Sequence, residues 1–285
     1  MVRFDAYSAT TTHAHRDDLM ALLAGSGDQI RSSRGFHTFG ERHAVIDASG
    51  DEVGAVMAGG RQGGRVMLEV KGERSPAVVE ALRGLYEHRC TRLDTCADFD
   101  RPGAFEELLA PVLRVKDEFG IYGEKRGDWD YPELGRTVML GARTSVIKFR
   151  LYEKGKQPEY RHLNQPDRVR AELQVRPVKV AREVYAHVSA VDAWGASRWT
   201  AALAGELLGK MLDRVAPGSM WKPSKAEQAL RWMVRQYGSH LVGLADELGG
   251  WDVLGLTLRE MHEEERRRGK KSQASAGQAA DHGGD

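Results

Sequence analysis

The sequence predicts an α+β fold in which antiparallel sheets are flanked by helices. Short segments of alternating apolar and polar residues, separated by glycine-rich turns, run from Phe36 to Val70. Longer segments with apolar residues at helical spacing lie between the strands, as in Ser75–His88. The same succession of strands and helices returns after residue 100, which favours two similar halves.

The first half begins with a strand, Arg3–Ala9, and an amphipathic helix, Asp17–Ala24, with leucines on one face. The glycine-punctuated strands follow. The helix Ser75–His88 has Pro76 in its first turn, where the missing N–H of proline leaves no intrahelical bond unmade. The segment Cys90–Asp100 then predicts a strand.

The second half repeats this order with a helix, a hairpin, a further strand and two helices. In chain order these are Phe105–Arg114, Thr137–Leu140 with Ser145–Glu153, Arg170–Arg176, Ala181–Val191 and Trp199–Val215. Glycine and a polar residue in the hairpin turn at Gly141–Thr144 favour the reversal of the chain.

A turn-rich segment, Ala216–Pro223, predicts the end of the first domain. We therefore expect a domain over residues 1–216, with halves of about 1–100 and 101–216, and a helical region over 217–268. Helices are expected at Ser224–Tyr237 and Trp251–Arg267, with breaks at Gly238 and at Gly249–Gly250. The small, polar residues of 269–285 predict a disordered tail.

The net charge of +1 gives the whole molecule no basic field that would attract nucleic acid. Residues 142–182, however, contain eleven Lys or Arg against four Asp or Glu, a local excess of +7. A solvated charged face explains such a segment, and so does a phosphate-binding surface.

Cys90 and Cys96 lie in one predicted strand, six residues or roughly 20 Å apart, which is too far for a disulfide. The first residues lack the apolar core of a signal peptide, and no apolar run approaches the length of a membrane span. Reduced thiols, a cytoplasmic location and no membrane association are therefore expected.

Tyr152 lies where basic and apolar residues alternate. On a strand it shares one face with Lys148, Arg150 and Lys154. A phenol has a pKa near 10, so a nucleophilic tyrosine needs a neighbouring cation or base that favours the phenolate. The same cations would bind phosphate. The alternative is a half-buried structural tyrosine with solvated neighbours.

Asp94 and Asp98 share one face of the strand Cys90–Asp100 with Arg92. Positions four residues apart on a straight strand are separated by about 13 Å, so one ion cannot bind both without a bend. Asp94, in mid-strand, is the better candidate ligand, with a salt bridge to Arg92 or Arg170 as the alternative. Asp98 is either a further ligand or an exposed acid.

Glu172 lies among basic residues on the strand Arg170–Arg176. It either pairs with Arg150 or Arg170, or it is a second oxygen ligand for Mg²⁺ or Mn²⁺. If the three strands are neighbours, their polar faces form one site with a metal, a nucleophile and phosphate-binding cations. The candidate phosphate-binding residues are Lys148, Arg150, Lys154, Arg170 and Arg176.

Three motifs in this order resemble the replication initiation factor family of rolling-circle plasmids and filamentous phages. They are Arg92-Leu93-Asp94, then Gly141-Ala142-Arg143 with Arg150-Leu151-Tyr152-Glu153-Lys154, then Arg170-Ala171-Glu172. The segments GGRVMLEVKG and ALRWMVRQYG look like the phage branch. The resemblance covers roughly residues 35–240, and Arg-x-Tyr-x-Lys is its most specific motif.

The resemblance implies that Tyr152 nicks origin DNA, presented as a single strand or an extruded hairpin, while Asp94, Glu172 and Asp98 hold a divalent ion. The products would be a 5′-phosphotyrosine and a free 3′-hydroxyl that primes synthesis. Host helicase, polymerase and single-strand-binding protein would be partners in a bacterial cell. A homodimer, and Tyr160 as a second nucleophile, stay open.

Three alternatives compete with this interpretation. His13-Ala14-His15 matches the metal-binding triplet of another class of tyrosine nickases, although no matching tyrosine helix lies nearby. A sequence-specific DNA-binding protein without catalytic activity would need neither metal nor covalent adduct. A conjugative relaxase would use the same chemistry at a transfer origin.

Overall fold

A computed structural model of the protein describes residues 1–209, 211–212, 215–218 and 225–264. The chain divides into two compact units, residues 1–220 and 221–285. The predicted disordered tail, 269–285, lies outside the described residues, and so do residues 219–223 of the predicted linker and the predicted helix end at Arg267.

The first unit contains one antiparallel sheet of ten strands, which confirms the predicted α+β class. The strands are β1 (Arg3–Thr11), β2 (Gln29–Arg34), β3 (Glu41–Ile46), β4 (Glu52–Ala58), β5 (Val66–Lys71), β6 (Arg89–Asp100), β7 (Gly123–Gly127), β8 (Arg136–Leu140), β9 (Ile147–Tyr152) and β10 (Arg168–Val175). Their order across the sheet is β2-β3-β4-β5-β1-β6-β10-β9-β8-β7.

This order consists of two similar halves, as the sequence predicted. The first five strands are arranged β2-β3-β4-β5-β1 and the last five β7-β8-β9-β10-β6, so the same relative order occurs twice. The first strand of each half is innermost, and β1 and β6 pair antiparallel to join the halves. The second half therefore places β6 beside β10, and β10 beside β9.

The main core lies between one face of the sheet and a layer of helices. These are α1 (Arg16–Leu23), α2 (Ser75–Leu85), α3 (Ala104–Glu118), α4 (Ala181–Tyr185) and α5 (Arg198–Leu208). Helices α1 to α4 pack directly on strands, and α5 packs on α3. Apolar residues at every second strand position, such as Phe149, Leu151, Ala171 and Leu173, are fully buried in this core. The alternate positions therefore point to the opposite, open face of the sheet.

Several predicted boundaries were wrong. The helix predicted at Trp199–Val215 ends at Leu208, because Gly209 adopts a left-handed conformation that closes it. The helix predicted at Ala181–Val191 ends at Tyr185. Strand β9 ends at Tyr152, and a 3₁₀ helix, Lys154–Lys156, follows it.

The second unit contains α6 (Lys225–Leu248) and a further helix over residues 251–264. The break predicted at Gly238 is absent, since one internal glycine costs a helix only about 1 kcal/mol. Gly249 and Gly250 do interrupt the helices, both with positive φ angles. Among the described residues, none of the helices combines the length and apolar character that a membrane span requires.

Candidate active site on the open face of the sheet

The three strands that carry the predicted site residues are neighbours. Across β6, β10 and β9, Asp94 lies opposite Gln174, which lies opposite Lys148. Glu172 lies opposite Arg150 in the next row, and Arg170 opposite Tyr152 in the row after that. The polar residues of all three strands therefore share the open face.

The hydroxyl of Tyr152 donates a hydrogen bond to Glu172 Oε2 at 3.2 Å, and the tyrosine is only 8% exposed. Arg150 donates to the other oxygen of the same carboxylate. Burial raises the pKa of the Tyr152 hydroxyl well above its ordinary value, and the charge of Glu172 adds to the increase. The resting tyrosine is therefore a neutral hydrogen-bond donor to Glu172.

Asp94 and Glu172 form a pair of buried carboxylates. They occupy diagonal positions on β6 and β10, where neighbours lie about 7–8 Å apart. Nε of Arg92 donates to Asp94 Oδ1 at 2.9 Å, and Gln174 donates to Oδ2 at 3.2 Å. Burial is the main cause of the raised pKa of Glu172. The charge of Arg150 opposes this increase, and the charge of Asp94 adds to it.

Arg170 is 1% exposed and lies beside Tyr152 in a cluster of ion pairs. Its Nε and Nη2 donate to Asp98 at 2.5 and 2.7 Å, and its Nη1 donates to Asp5 Oδ1 at 2.5 Å. Asp98 also accepts hydrogen bonds from Arg168 and Arg3. Burial opposes ionisation of Asp98, but the arginines outweigh it and lower its pKa.

Asp5 is a site residue that sequence reasoning missed. Strict alternation on β1 would place it on the same face as Tyr7, which is in the helix-side core. A register shift between Phe4 and Ala6 brings Asp5 to the open face instead. A bulge of this kind leaves no signal in the alternation of residues, so the sequence could not reveal it.

Lys154 follows β9 and is 6% exposed. Its ammonium lies 4.1 Å from the centroid of the Tyr160 ring, a cation–π contact. Burial, and then the charge of Arg170, lower the pKa of Lys154 to about 8. Tyr160 is half-buried, and its hydroxyl has a raised pKa because of burial.

Lys148 and Arg176 lie at the other end of the face. Lys148 occupies the position opposite Gln174, and the backbone N–H of Arg176 bonds to Val146 at the start of β9. Burial, together with the charges of Arg176 and Arg143, lowers the pKa of Lys148. Within the described ranges, neither residue has a carboxylate at ion-pair distance.

A cleft of about 940 Å³ crosses the open face from one half of the sheet to the other. The second half contributes Asp94, Arg150, Lys154 and Glu172, and the first half contributes residues that include Asp5, Ser8, Glu69 and Lys71. The candidate site therefore lies at one end of a long, polar depression in the first unit.

The structure also places the histidines of the alternative metal triplet. His15 caps α1, and His13 lies 3.8 Å from Glu87. Among residues 1–209, 211–212, 215–218 and 225–264, no group of three or more His, Cys, Asp or Glu side chains is arranged to hold a metal ion. Cys90 and Cys96 are free, as predicted, and both are buried.

No protein-family model and no curated protein matches this chain. Among solved structures, the chain is similar to a rolling-circle replication initiator protein from Geobacillus stearothermophilus. The two are 14% identical, with a TM-score of 0.49, and the similarity covers 77% of this chain and 100% of that one. A similarity of this size supports no conclusion about function. Any proposal of function therefore depends on the side chains of the site.

Proposed function

We propose that the protein is a rolling-circle replication initiator that nicks origin DNA through a covalent bond to Tyr152. The observation that carries the proposal is the buried hydrogen bond from Tyr152 to Glu172, with Arg150 on the same carboxylate. The order of the three motifs along the chain supports the same family. Their strands are neighbours in the sheet, so the motif residues share one face.

In this reaction the oxygen of Tyr152 bonds to the scissile phosphorus, and the bond from phosphorus to the 3′ oxygen breaks. Glu172 Oε2 is the acceptor positioned to take the phenolic proton. The departing 3′ oxygen takes up a proton and becomes a free hydroxyl that primes synthesis. Reversal of these steps would rejoin the strand.

Arg150 and Lys154 are the cations best placed beside the attacked phosphate, because both line the cleft next to Tyr152. Arg170 has a different task in this proposal. Its guanidinium is buried and engaged by Asp5 and Asp98, so it cannot also bind a DNA phosphate. We assign it to fixing β10 to β6 and β1 beside Tyr152.

We assign Asp94 and Glu172 to a divalent ion as a two-carboxylate site, in which the ion would replace the present contacts of their oxygens with Arg92, Gln174 and Arg150. They are buried neighbours with repelling charges, and oxygen ligands suit Mg²⁺ or Mn²⁺. When bound, such an ion would supply charge neutralisation at the phosphate oxygens. Asp98 is occupied by three arginines, so we assign it to Arg170 rather than to the ion.

The substrate in this proposal is a single strand, or the exposed strand of an extruded hairpin. An open cleft that crosses the sheet suits an extended strand better than a compact small molecule. Host helicase, polymerase and single-strand-binding protein are the partners expected of such an initiator.

The test is a covalent-adduct assay with labelled single-stranded origin DNA, with Mn²⁺ or with a chelator. Wild type is expected to form a detergent-resistant adduct only with metal, and Tyr152→Phe is expected to form none. Tyr160→Phe is the matched control, because it removes the hydroxyl of a neighbouring, half-buried tyrosine and should retain the adduct. An adduct that persists in Tyr152→Phe would transfer the chemistry to another residue.

Tight DNA binding without any adduct would favour the non-catalytic DNA-binding alternative. Strand cleavage at a transfer origin instead of a replication origin would favour a relaxase. Replacing Asp94 by Asn should raise the Mn²⁺ concentration that half-saturates adduct formation, which separates metal binding from the role of Tyr152.

A further inference from the structure

Three cations converge beside the candidate site without neutralising partners. Lys148 is partly buried on β9, and burial, followed by the nearby charges of Arg176 and Arg143, lowers its pKa. Arg143 projects from the β8–β9 turn and Arg176 follows β10. We call Arg143, Lys148 and Arg176 the cationic patch. No carboxylate in the described ranges lies within ion-pair distance of any of the three.

Four arginines of the open face are neutralised, whereas Lys154 is buried with its ammonium over the ring of Tyr160. Arg92 is paired with Asp94, Arg150 with Glu172, and both Arg168 and Arg170 with Asp98. Apart from Lys154, the cations therefore fall into two groups. One group holds the buried carboxylates in place, and the cationic patch has its charge available for a ligand.

The backbone fixes the positions of the three residues of the cationic patch, although their like charges repel one another. The N–H of Arg176 bonds to Val146 at 2.7 Å, which fastens the end of β10 to the start of β9. Gly141 begins the turn that carries Arg143 with a φ of +98°, and an added Cβ there would lie 2.6 Å from the carbonyl oxygen of Ile147. Three like charges fixed in this way favour a ligand with several negative charges.

We propose that the cationic patch is a second phosphate-binding subsite, which holds the backbone of the nucleic-acid strand at a distance from the bond that Tyr152 attacks. The inference rests on the proposed function, because it takes the strand in the cleft to be the substrate. The patch recognises phosphodiester charge and contributes no base recognition.

The spacing along β9 sets the distance between the subsite and the scissile phosphate. Lys148 and Tyr152 share a face four residues apart, which corresponds to about 13 Å. A stacked strand has one phosphate about every 3.4 Å of its axis, so the subsite binds a phosphate within about four nucleotides of the nick. Holding the strand there fixes which phosphate reaches Tyr152.

The first test is the salt dependence of binding of labelled single-stranded DNA to the full chain, without divalent metal. Each substitution of a patch residue by Ala should reduce the slope of log K against log salt by about 0.7. When salt is raised from 50 to 200 mM, the affinity of each variant should therefore fall by a factor about 2.6-fold smaller than that of wild type. Arg114→Ala is the matched control: Arg114 is an exposed arginine on α3, paired with Glu206, and α3 packs on the helix-side face.

The second test locates the contact. Oligonucleotides with one uncharged methylphosphonate at successive positions, up to four nucleotides on each side of the nick, should weaken wild-type binding at one or two positions. The triple Ala variant should be insensitive at those positions. Equal sensitivity of the variant and wild type, or a slope change no larger than that of Arg114→Ala, would overturn the inference.

Two controls keep the outcomes distinct. Inorganic phosphate at millimolar concentration should not displace the strand; displacement would show a site for a free anion and overturn the inference. If Lys148→Ala lowers the melting temperature, Lys148→Gln replaces it. The adduct at Tyr152 is measured in parallel. If wild type forms no adduct but the Ala variants have a reduced salt slope, the proposed function fails and the backbone-binding surface stands. If wild type forms the adduct but the slope of the variants is unchanged, the proposed function stands and the backbone-binding surface fails.

Discussion

Burial and the charge of Glu172 make the candidate nucleophile, Tyr152, a weak acid in the free protein. Burial is the largest cause of the raised pKa, and the charge of Glu172 is the next. We predict that Glu172→Gln lowers the pKa of Tyr152, because the nearby negative charge is removed while Arg150 remains. A ¹⁹F NMR titration of 3-fluorotyrosine at position 152 would measure this change.

The same variant should lose the covalent adduct, since the proton acceptor and a metal-binding carboxylate are both replaced. Glu159→Gln is the matched control, because Glu159 is an exposed residue of the same cleft. An unchanged or higher pKa of Tyr152 in Glu172→Gln would contradict the electrostatic account.

Lys154 should make stability depend on pH. Its pKa is lowered to about 8 in the folded protein, against about 10.4 in the unfolded chain, so the unfolded state binds more protons between these values. The free energy of unfolding therefore rises as pH increases from about 8 to about 10. Below that window, the buried and charged Lys154 destabilises the folded protein. Lys154→Met should be more stable than wild type at pH 7, by as much as about 3 kcal/mol.

Urea unfolding at pH 7 and pH 9.5 would measure this difference, which should shrink at the higher pH. The exposed Lys125 offers a control substitution, Lys125→Met. Lower stability of Lys154→Met at pH 7 would show that the contacts of Lys154 with Tyr160 outweigh the cost of burying its charge.

The cluster of Arg170, Asp5 and Asp98 is the strongest electrostatic feature of the site. Removing one partner of a buried ion pair leaves an uncompensated charge and costs about 3–5 kcal/mol. We predict a loss of this size for Arg170→Met, measured by chemical denaturation at pH 7. Arg126→Met removes an exposed arginine paired with Glu124 and should cost at most about 1 kcal/mol. Equal costs would mean that the cluster adds nothing to stability.

At the scale of elements, the segment after β9 depends on one glycine. A Cβ at Gly155 would lie 1.7 Å from the carbonyl oxygen of Gln165, in the backbone that leads into β10. Gly155→Ala therefore forces the 3₁₀ helix Lys154–Lys156 away from the start of β10. We predict a marked fall in melting temperature and a loss of the adduct.

Gly84→Ala is the corresponding control at an exposed position of α2. An added Cβ there has no atom within 4 Å, and alanine favours helix over glycine by about 1 kcal/mol. The control should therefore raise the melting temperature slightly. A fall of equal size in both variants would show that the close approach of Gly155 is not the cause.

At the scale of the whole molecule, the ten-stranded sheet and the entire candidate site lie in the unit of residues 1–220. Asp94, Tyr152 and Glu172 all come from the second half of the sheet, and the first half adds Asp5 and a wall of the cleft. The two halves of the sheet are therefore similar in fold, but only the second half contains the candidate tyrosine and the two candidate metal-binding carboxylates.

We predict that a fragment ending at residue 220 unfolds in one cooperative transition and retains the metal-dependent adduct with single-stranded origin DNA. Circular dichroism during urea unfolding and the adduct assay would test both parts. A fragment that folds without forming the adduct would assign a necessary part of the reaction to residues 221–285.

The sequence by itself determined the strands that carry the candidate site residues and most of the side chains that share a face, although β2 and β7 were not predicted. Alternation is a local property, so it placed Lys148, Arg150 and Tyr152 together, and likewise Asp94 with Asp98. The order of motifs also predicted a class of chemistry, and that stays a prediction. Helix ends were predicted less well, because a glycine such as Gly209 or Gly238 ends or continues a helix according to its surroundings.

Only the tertiary structure decided which side chains are partners. Strand neighbours and register depend on packing and hydrogen bonds between distant segments, and no local pattern encodes them. The structure thereby paired Glu172 with Tyr152 and Arg150, and buried Arg170 between Asp98 and Asp5. A single bulge in β1 brought Asp5 into the site, because one extra residue in a strand reverses the face of those that follow.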